Sequence, residues 1–388
     1  MFLYIVAGIV VLLVGLGTIA FQLPVATSKV VWPLIEDRML EEPFIGVTSD
    51  GIVKPDLYRI ESTGVSTEPV VQTAEKFIAA LNPQQRNKLL YAVDDDEWRR
   101  WANIHISTRQ GVGLLDMDEN QTKAAFNLLE ASLSARGLDT SHKIIKLEGH
   151  LADLMDDHNQ YGSQRYWFTI MGTPSQSEPW GWQLDGHHLI INYFVLGDQV
   201  VMSPVFMGSE PVRALSGPHA GTEILQEEQE AGLALIRSLS EQQRAVAITS
   251  SAKPGNNNYG ELFQDNAVVP VAGISLDALD DGQRALAVGL ISLYVDNLKR
   301  DHAQVRLTEI LKHWSQTYFS WVGGTGDDAV FYYRIMSPVI MIEFDHQSPV
   351  ALEGDGPSRI HVHTVVRTPN GNDYGKDLLR QHLVDHPH

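Results

Sequence analysis

Phe77-Ile78-Ala79-Ala80-Leu81-Asn82-Pro83-Gln84-Gln85-Arg86 returns later in the chain as Leu235-Ile236-Arg237-Ser238-Leu239-Ser240-Glu241-Gln242-Gln243-Arg244. Both stretches read as the end of one helix and the start of another. Asn82 or Ser240 supplies an N-cap oxygen, Pro83 suits the first helical position, and Gln85 or Gln243 stands where a capping box needs its amide. A second pair follows. Asp118-Glu119-Asn120-Gln121 precedes an apolar helix through Ala125, Leu128 and Leu129, while Asp280-Asp281-Gly282-Gln283 precedes Leu286, Leu290 and Ile291. In a third, Trp167-Phe168-Thr169-Ile170-Met171-Gly172 resembles Tyr318-Phe319-Ser320-Trp321-Val322-Gly323. Three matches in one order point to an internal duplication.

The predicted fold class is therefore α+β, with an internally duplicated body in a pseudo-two-fold arrangement. Each half has helices followed by a small antiparallel sheet of about four strands, and an apolar helix stands at the N-terminus. The boundaries fall at 66–211 for the first repeat and 226–388 for the second. Residues 212–225, with Ser216-Gly217-Pro218, form the connector, and 27–65 an extended arm.

Aligning the halves sets Trp182–Tyr193 against Tyr333–Phe344, so that Asn192 corresponds to Glu343. His188 shares the strand face of Asn192, and His187 is expected to point the other way. Downstream, His361-Val362-His363 places two imidazoles on one strand face. The preceding run alternates Ile340, Ile342 and Phe344 with Met341, Glu343 and Asp345. If the two runs pair, two histidines and two carboxylates share a face. With no cysteine in the chain, a metal must take nitrogen and oxygen ligands, which suits zinc, iron or manganese. The expected ligands are His361, His363 and Glu343, joined by His188. The competing reading is a sheet face whose histidines and acids merely hydrogen-bond each other.

Around this site, Arg367 is expected to clamp an anionic group, and Tyr374 or Asp345 to move a proton. Trp180 and Trp182 are expected to wall a ligand, the alternative being that they supply core area. Arg100 and Arg109, set among tryptophans, read as an anion-recognising rim or as partners of Asp94, Asp95 and Asp96.

Composition excludes several classes. The 388 residues carry a net charge of −19 with 44 % hydrophobic content, so the chain is globular and a nucleic-acid partner is not expected. No G-x-S-x-G, H-E-x-x-H or Walker-type loop occurs. Residues 2–26 carry no charge and read as a transmembrane anchor or signal, with the body outside the cytoplasm.

The segment Trp180-Gly181-Trp182-Gln183-Leu184-Asp185-Gly186-His187-His188, the block from Glu97 to Trp101 with Arg109-Gln110-Gly111-Val112, and the loop from Arg367 to Gly375 together resemble the DUF3500 family of proteins of unknown function. The resemblance covers most of the chain after the N-terminal segment, and Gly186-His187-His188 is its most specific piece. It implies no reaction, cofactor or catalytic residue. The expectation from the residues is a metal-dependent hydrolase or lyase acting on a small organic substrate; the alternative is a small-ligand-binding or structural envelope protein.

Overall fold

The structure, a computed structural model, describes residues 25–386. The stretch read as an N-terminal anchor lies almost wholly outside them. Among the described residues no helix is long and apolar enough to cross a membrane.

Ten α-helices and twelve strands make up the described chain. Before the first long strand come α1 (Val25–Met39), α2 (Glu68–Ala80), α3 (Pro83–Leu89), β1 (Leu90–Tyr91), β2 (Val112–Gly113), α4 (Glu119–Ser132) and α5 (Ala135–Met155). A meander of β3 (Tyr166–Met171), β4 (Trp180–Gly186), β5 (Leu189–Leu196) and β6 (Gln199–Ser209) follows. The chain then forms α6 (Gln226–Ser238), α7 (Glu241–Ala247), β7 (Ile248–Ser250), β8 (Ile274–Ser275), α8 (Asp281–Val295) and α9 (Arg300–Lys312). A second meander of β9 (Tyr318–Gly323), β10 (Phe331–Met336), β11 (Met341–His346) and β12 (Val362–Arg367) leads to α10 (Lys376–Asp385).

All twelve strands belong to one sheet, ordered β1-β3-β4-β5-β6-β12-β11-β10-β9-β7, with β2 and β8 paired to β3 and β9. The expected pair of small sheets is thus fused, because β6 and β12 hydrogen-bond antiparallel from Val362↔Ser209 to Val366↔Val205. Pairing is antiparallel except where β1 joins β3 and β7 joins β9.

The helix starts follow their local chemistry. Asn82, Asp118, Ser240 and Asp280 each close a capping box with the glutamine three residues on. Strand alternation then separates two cores. Leu189, Ile191, Val205, Met207, Ile342 and Phe344 join the large cluster under α2 to α9. Ile190, Phe194, Phe206 and Val365 face the other way, against Trp98, Trp101, Tyr374 and Leu378. The second face is roofed by irregular segments rather than by long helices.

The region expected as an extended arm begins as a helix, α1, and is otherwise largely irregular. Trp32 and Glu36, one helical turn apart, are both buried, so the packed face mixes an indole with an acid and shows no apolar period. Beyond it the arm is tied down by backbone bonds of Thr48 to Ala267 and Val269, and by Asn370 N–H donating to the Val47 carbonyl.

Candidate metal centre

His361 leads into β12, which lies between β6 and β11. The register sets Gly208 opposite His363 and His363 opposite Asp345, with Glu343 opposite Val365. The two runs therefore pair and share a face. One strand further over, the Gly208 N–H donates to the His188 carbonyl at 2.9 Å, so His188 and His363 flank a residue with no side chain. A Cβ on Gly208 would lie 3.0 Å from His363 Cδ2 and 2.8 Å from the Val362 carbonyl. The glycine leaves the gap through which two imidazoles meet across an intervening strand. Ring centroids of His188 stand 5.7 Å from those of both His361 and His363, which are 4.6 Å from each other.

Each of these rings is held at Nδ1. His188 Nδ1 donates to Glu148 at 2.9 Å, His361 Nδ1 to the Ser348 carbonyl at 2.9 Å, and His363 Nδ1 to Glu261 at 2.7 Å. Glu210 adds a second acceptor 3.4 Å from His361 Nδ1. Carbonyl and carboxylate oxygens only accept, so each Nδ1 carries its ring's proton and the neutral ring keeps a bare lone pair on Nε2. Burial, reinforced by His363 and His188, drives the His361 pKa well below the usual range, which keeps that ring neutral. Yet His361 Nε2 and His363 Nε2 face each other at 2.8 Å, and His188 Nε2 is buried with no hydrogen-bond partner. One ring nitrogen from each residue lies within 4.8 Å of the other two, so the group can hold a metal ion. Imidazoles fixed through Nδ1 by acceptors are the usual supporting arrangement for metal ligation.

His187 departs from expectation. His187 and His188 occupy the connection between β4 and β5, where the chain bends and strand alternation does not apply. Both turn to Glu148, one on each carboxylate oxygen at 2.9 Å. Burial alone would raise the Glu148 pKa, but the two imidazoles outweigh it and hold the carboxyl well below its usual range. The rings of His105 and Tyr161 pack on His187 at 5.6 and 5.7 Å. Glu148, His187 and His188 form a second group with metal-ligand spacing.

Glu343 and Asp345 share the histidine face but stand outside both groups. Glu343 accepts N–H bonds from Tyr259 and Gly260 and the Tyr332 hydroxyl at 2.6 Å. Asp345 takes Lys253 Nζ and the Asn257 N–H, both at 2.7 Å. Arg367 donates to the carbonyls of Gly260 and Glu261. All three side chains are spent on the loop that delivers Glu261 to His363. Arg367 is fully buried, pairs with Asp265 at 2.8 Å and Asp373 at 3.2 Å, and lies over Trp101. Tyr374 donates to Asp265 and accepts from Trp101 Nε1, and burial pushes its pKa well above the usual value. Both side chains are committed to these partners.

Trp180 and Trp182 are fully buried in the cluster beneath the helices, on the sheet face opposite Val365. Arg109 bonds Asp185 at 3.2 Å and the carbonyls of Ala102 and Ile104, whereas Arg100 bonds Asp37 of α1 at 2.9 Å. The arginines expected as a rim are thus spent singly. Of the acids considered as partners, Asp96 reaches only Arg99, at 3.5 Å.

Beside them Glu36 and Glu97 are both pushed up to about 8, chiefly by burial. Their ordinary value is 4.5, so between these limits the folded state holds protons that the unfolded state has lost. Their contribution to stability is full below pH 4.5 and is lost as the pH rises through about 8. Urea denaturation at mildly acidic and mildly alkaline pH is expected to show lower stability in alkali, and Glu97→Gln to flatten that slope. An unchanged slope in the variant would rule out Glu97 as a source.

Glu148, Glu210, Glu261 and Gly208 complete the centre and were not foreseen. Gly208 alone left a local signal, a glycine inside a β-rich run, which marks close approach of another group.

A family model described as "Protein of unknown function (DUF3500)" matches residues 63–376. No curated protein and no solved structure matches the chain.

Proposed function

The chain belongs to the DUF3500 family, and from the site itself we propose that it is a metal-dependent hydrolase or lyase whose ion is held by His188, His361 and His363. The observation that carries this reading is the meeting of Nε2 lone pairs in a buried site whose Nδ1 atoms are already committed. With both rings carrying their proton on Nδ1 alone, the two Nε2 lone pairs 2.8 Å apart would repel, and a cation bound by both would turn the repulsion into ligation. An all-imidazole set favours zinc or ferrous iron over manganese, which prefers oxygen. Three protein ligands, rather than four, are the pattern of catalytic zinc sites, where the remaining position takes water or substrate. A bound ion would supply an activated water and a Lewis acid for a substrate oxygen. Glu148, Glu261 and the Ser348 carbonyl orient the rings, and Glu210 accepts N–H bonds from Val350, Ala351 and Leu352 to hold the neighbouring loop in place.

A second reading is a metal that staples the sheet, favoured by the near-complete burial of all three rings and by their position on either side of β6. The two are separated by stripping the protein with a chelator, reloading zinc or iron, and following both hydrolysis of activated esters and melting temperature. Metal-dependent turnover, absent from a His361→Ala, His363→Ala double variant, supports the enzyme. A melting response without turnover supports the staple. Protein that neither carries nor takes up stoichiometric metal sinks both.

The duplication belongs to the same reading. Supporting it, the paired glutamines Gln85 and Gln121 exchange amide bonds as Gln243 and Gln283 do. Arg86 caps the Leu81 carbonyl as Arg244 caps that of Leu239. Each meander begins at a strand carrying one parallel and one short antiparallel partner. On this reading the metal centre arose at the junction of the copies, with His188 from one and His361 and His363 from the other. Export or anchoring of this body rests on residues 2–26 of the sequence.

A further inference from the structure

Away from the metal centre, a cavity of about 270 Å³ opens between the arm, α9 and the start of β6. Seven residue steps along β6 separate Gly208 from Val201 in its wall, about 23 Å of extended strand. Its apolar lining comes from Val200, Val201, Val305 and Val339. Set against these are two imidazoles, His302 and His313, and the guanidinium of Arg306. His302 is 6 % exposed and its Nε2 has no hydrogen-bond partner; His313 Nδ1 is buried without one too.

Arg306 is anchored at one end, where Nη2 donates to the Val339 carbonyl and the Thr368 hydroxyl and Nη1 approaches Glu309 at 3.2 Å. A guanidinium has five N–H donors, so two remain uncommitted. Burial lowers the pKa of both His302 and His313, and for His313 Lys312, Arg306 and Lys54 act in the same direction against Glu309 alone. The neighbouring charges are mainly cationic at His313, whereas at His302 they are the acids Asp198 and Asp301, which burial outweighs. Three acids also line the cavity, Glu309 paired with Arg306 and Asp56 and Glu61 exposed, and they disfavour ligands with several negative charges.

We propose that this cavity binds a small organic monocarboxylate, its carboxylate received by Arg306 with His302 and His313 and its apolar body packed on the valines. Buried polar nitrogens without partners cost free energy that such a ligand removes, and the apolar wall has no use for an inorganic anion.

The test uses the full chain, with benzoate as the probe, neutral benzamide and inorganic phosphate as controls, and calorimetry and thermal shift as readouts. Benzoate is expected to bind saturably and raise the melting temperature, with benzamide and phosphate weaker. Arg306→Gln is expected to weaken benzoate about tenfold or more, the loss of a charge-assisted hydrogen bond. Because Arg306 also supports the Val339 carbonyl, His302→Leu serves as a second variant that removes the unpartnered nitrogen, and Val201→Phe as a third that fills the space. Equal binding of benzamide, tighter binding of phosphate, or unchanged benzoate affinity in all three variants would overturn the proposal. So would a native chain that ignores benzoate at millimolar concentration.

Discussion

Glu148→Leu is expected to lower the unfolding free energy by about 2–4 kcal/mol and to weaken metal binding about 10- to 100-fold. Glu148 is 3 % exposed, and its two oxygens hold the Nδ1 atoms of His187 and His188. Leucine matches its bulk but leaves two buried N–H donors with no acceptor. Each costs about 1–3 kcal/mol, part of which is offset by no longer burying a carboxylate. His188 is also freed to rotate or to change tautomer, which moves its lone pair out of line with His361 and His363. Glu148→Gln keeps one accepting oxygen and is expected to fall between the two. Urea unfolding of stripped protein isolates the first effect, and competition with a chromophoric chelator reads the second. If metal affinity stays unchanged while stability falls, Glu148 supports the fold alone and His188 is not a ligand.

Arg367→Met is expected to cost about 3–5 kcal/mol, the range for removing one partner of a buried ion pair. The guanidinium is fully buried and faces Asp265 and Asp373 together with the Gly260 and Glu261 carbonyls. Removing it leaves Asp373 with only the Thr368 N–H and Asp265 with Arg99 and Tyr374, and loosens the loop that brings Glu261 to His363. Arg367→Lys is not expected to rescue it, because an ammonium cannot supply the planar fork these partners share. Chemical denaturation measures the loss. Were stability untouched while turnover fell, Arg367 would be the anion clamp read from the sequence rather than the brace that the structure shows.

Those two residues mark where legibility ended. Parity along a strand is a short-range rule, and it put His361, His363, Glu343 and Asp345 on one face. The rule does not reach His187 and His188, which sit in a bend where side chains no longer alternate and both turn to Glu148. It was also silent about occupancy. Glu343 and Asp345 face the right way but are saturated by amides of the loop at 253–261, a segment that sequence distance hides. The acids that do support the rings come from α5, from the end of β6 and from that same loop. In a chain with 48 acidic residues, nothing local distinguishes Glu148, Glu210 or Glu261 from solvated carboxylates. Helix caps were legible because a capping box lies within four residues, whereas the fusion of two meanders into one sheet depended on an edge pairing between β6 and β12 across more than a hundred residues.

That pairing gives the chain a temporal order. β12, the last of the described strands in chain order, occupies a central place in the sheet, between β6 and β11. Until residues 361–367 emerge, β6 presents an unpaired edge of the kind that recruits other chains, and one of the three imidazoles waits alone beside Glu148. On the proposed function, metal capture would therefore report the docking of β12 between β6 and β11. A chain lacking His363 would leave both the proposed ligand set incomplete and the β6 edge bare, so on that reading an ion in the centre would mark a molecule whose two meanders have joined.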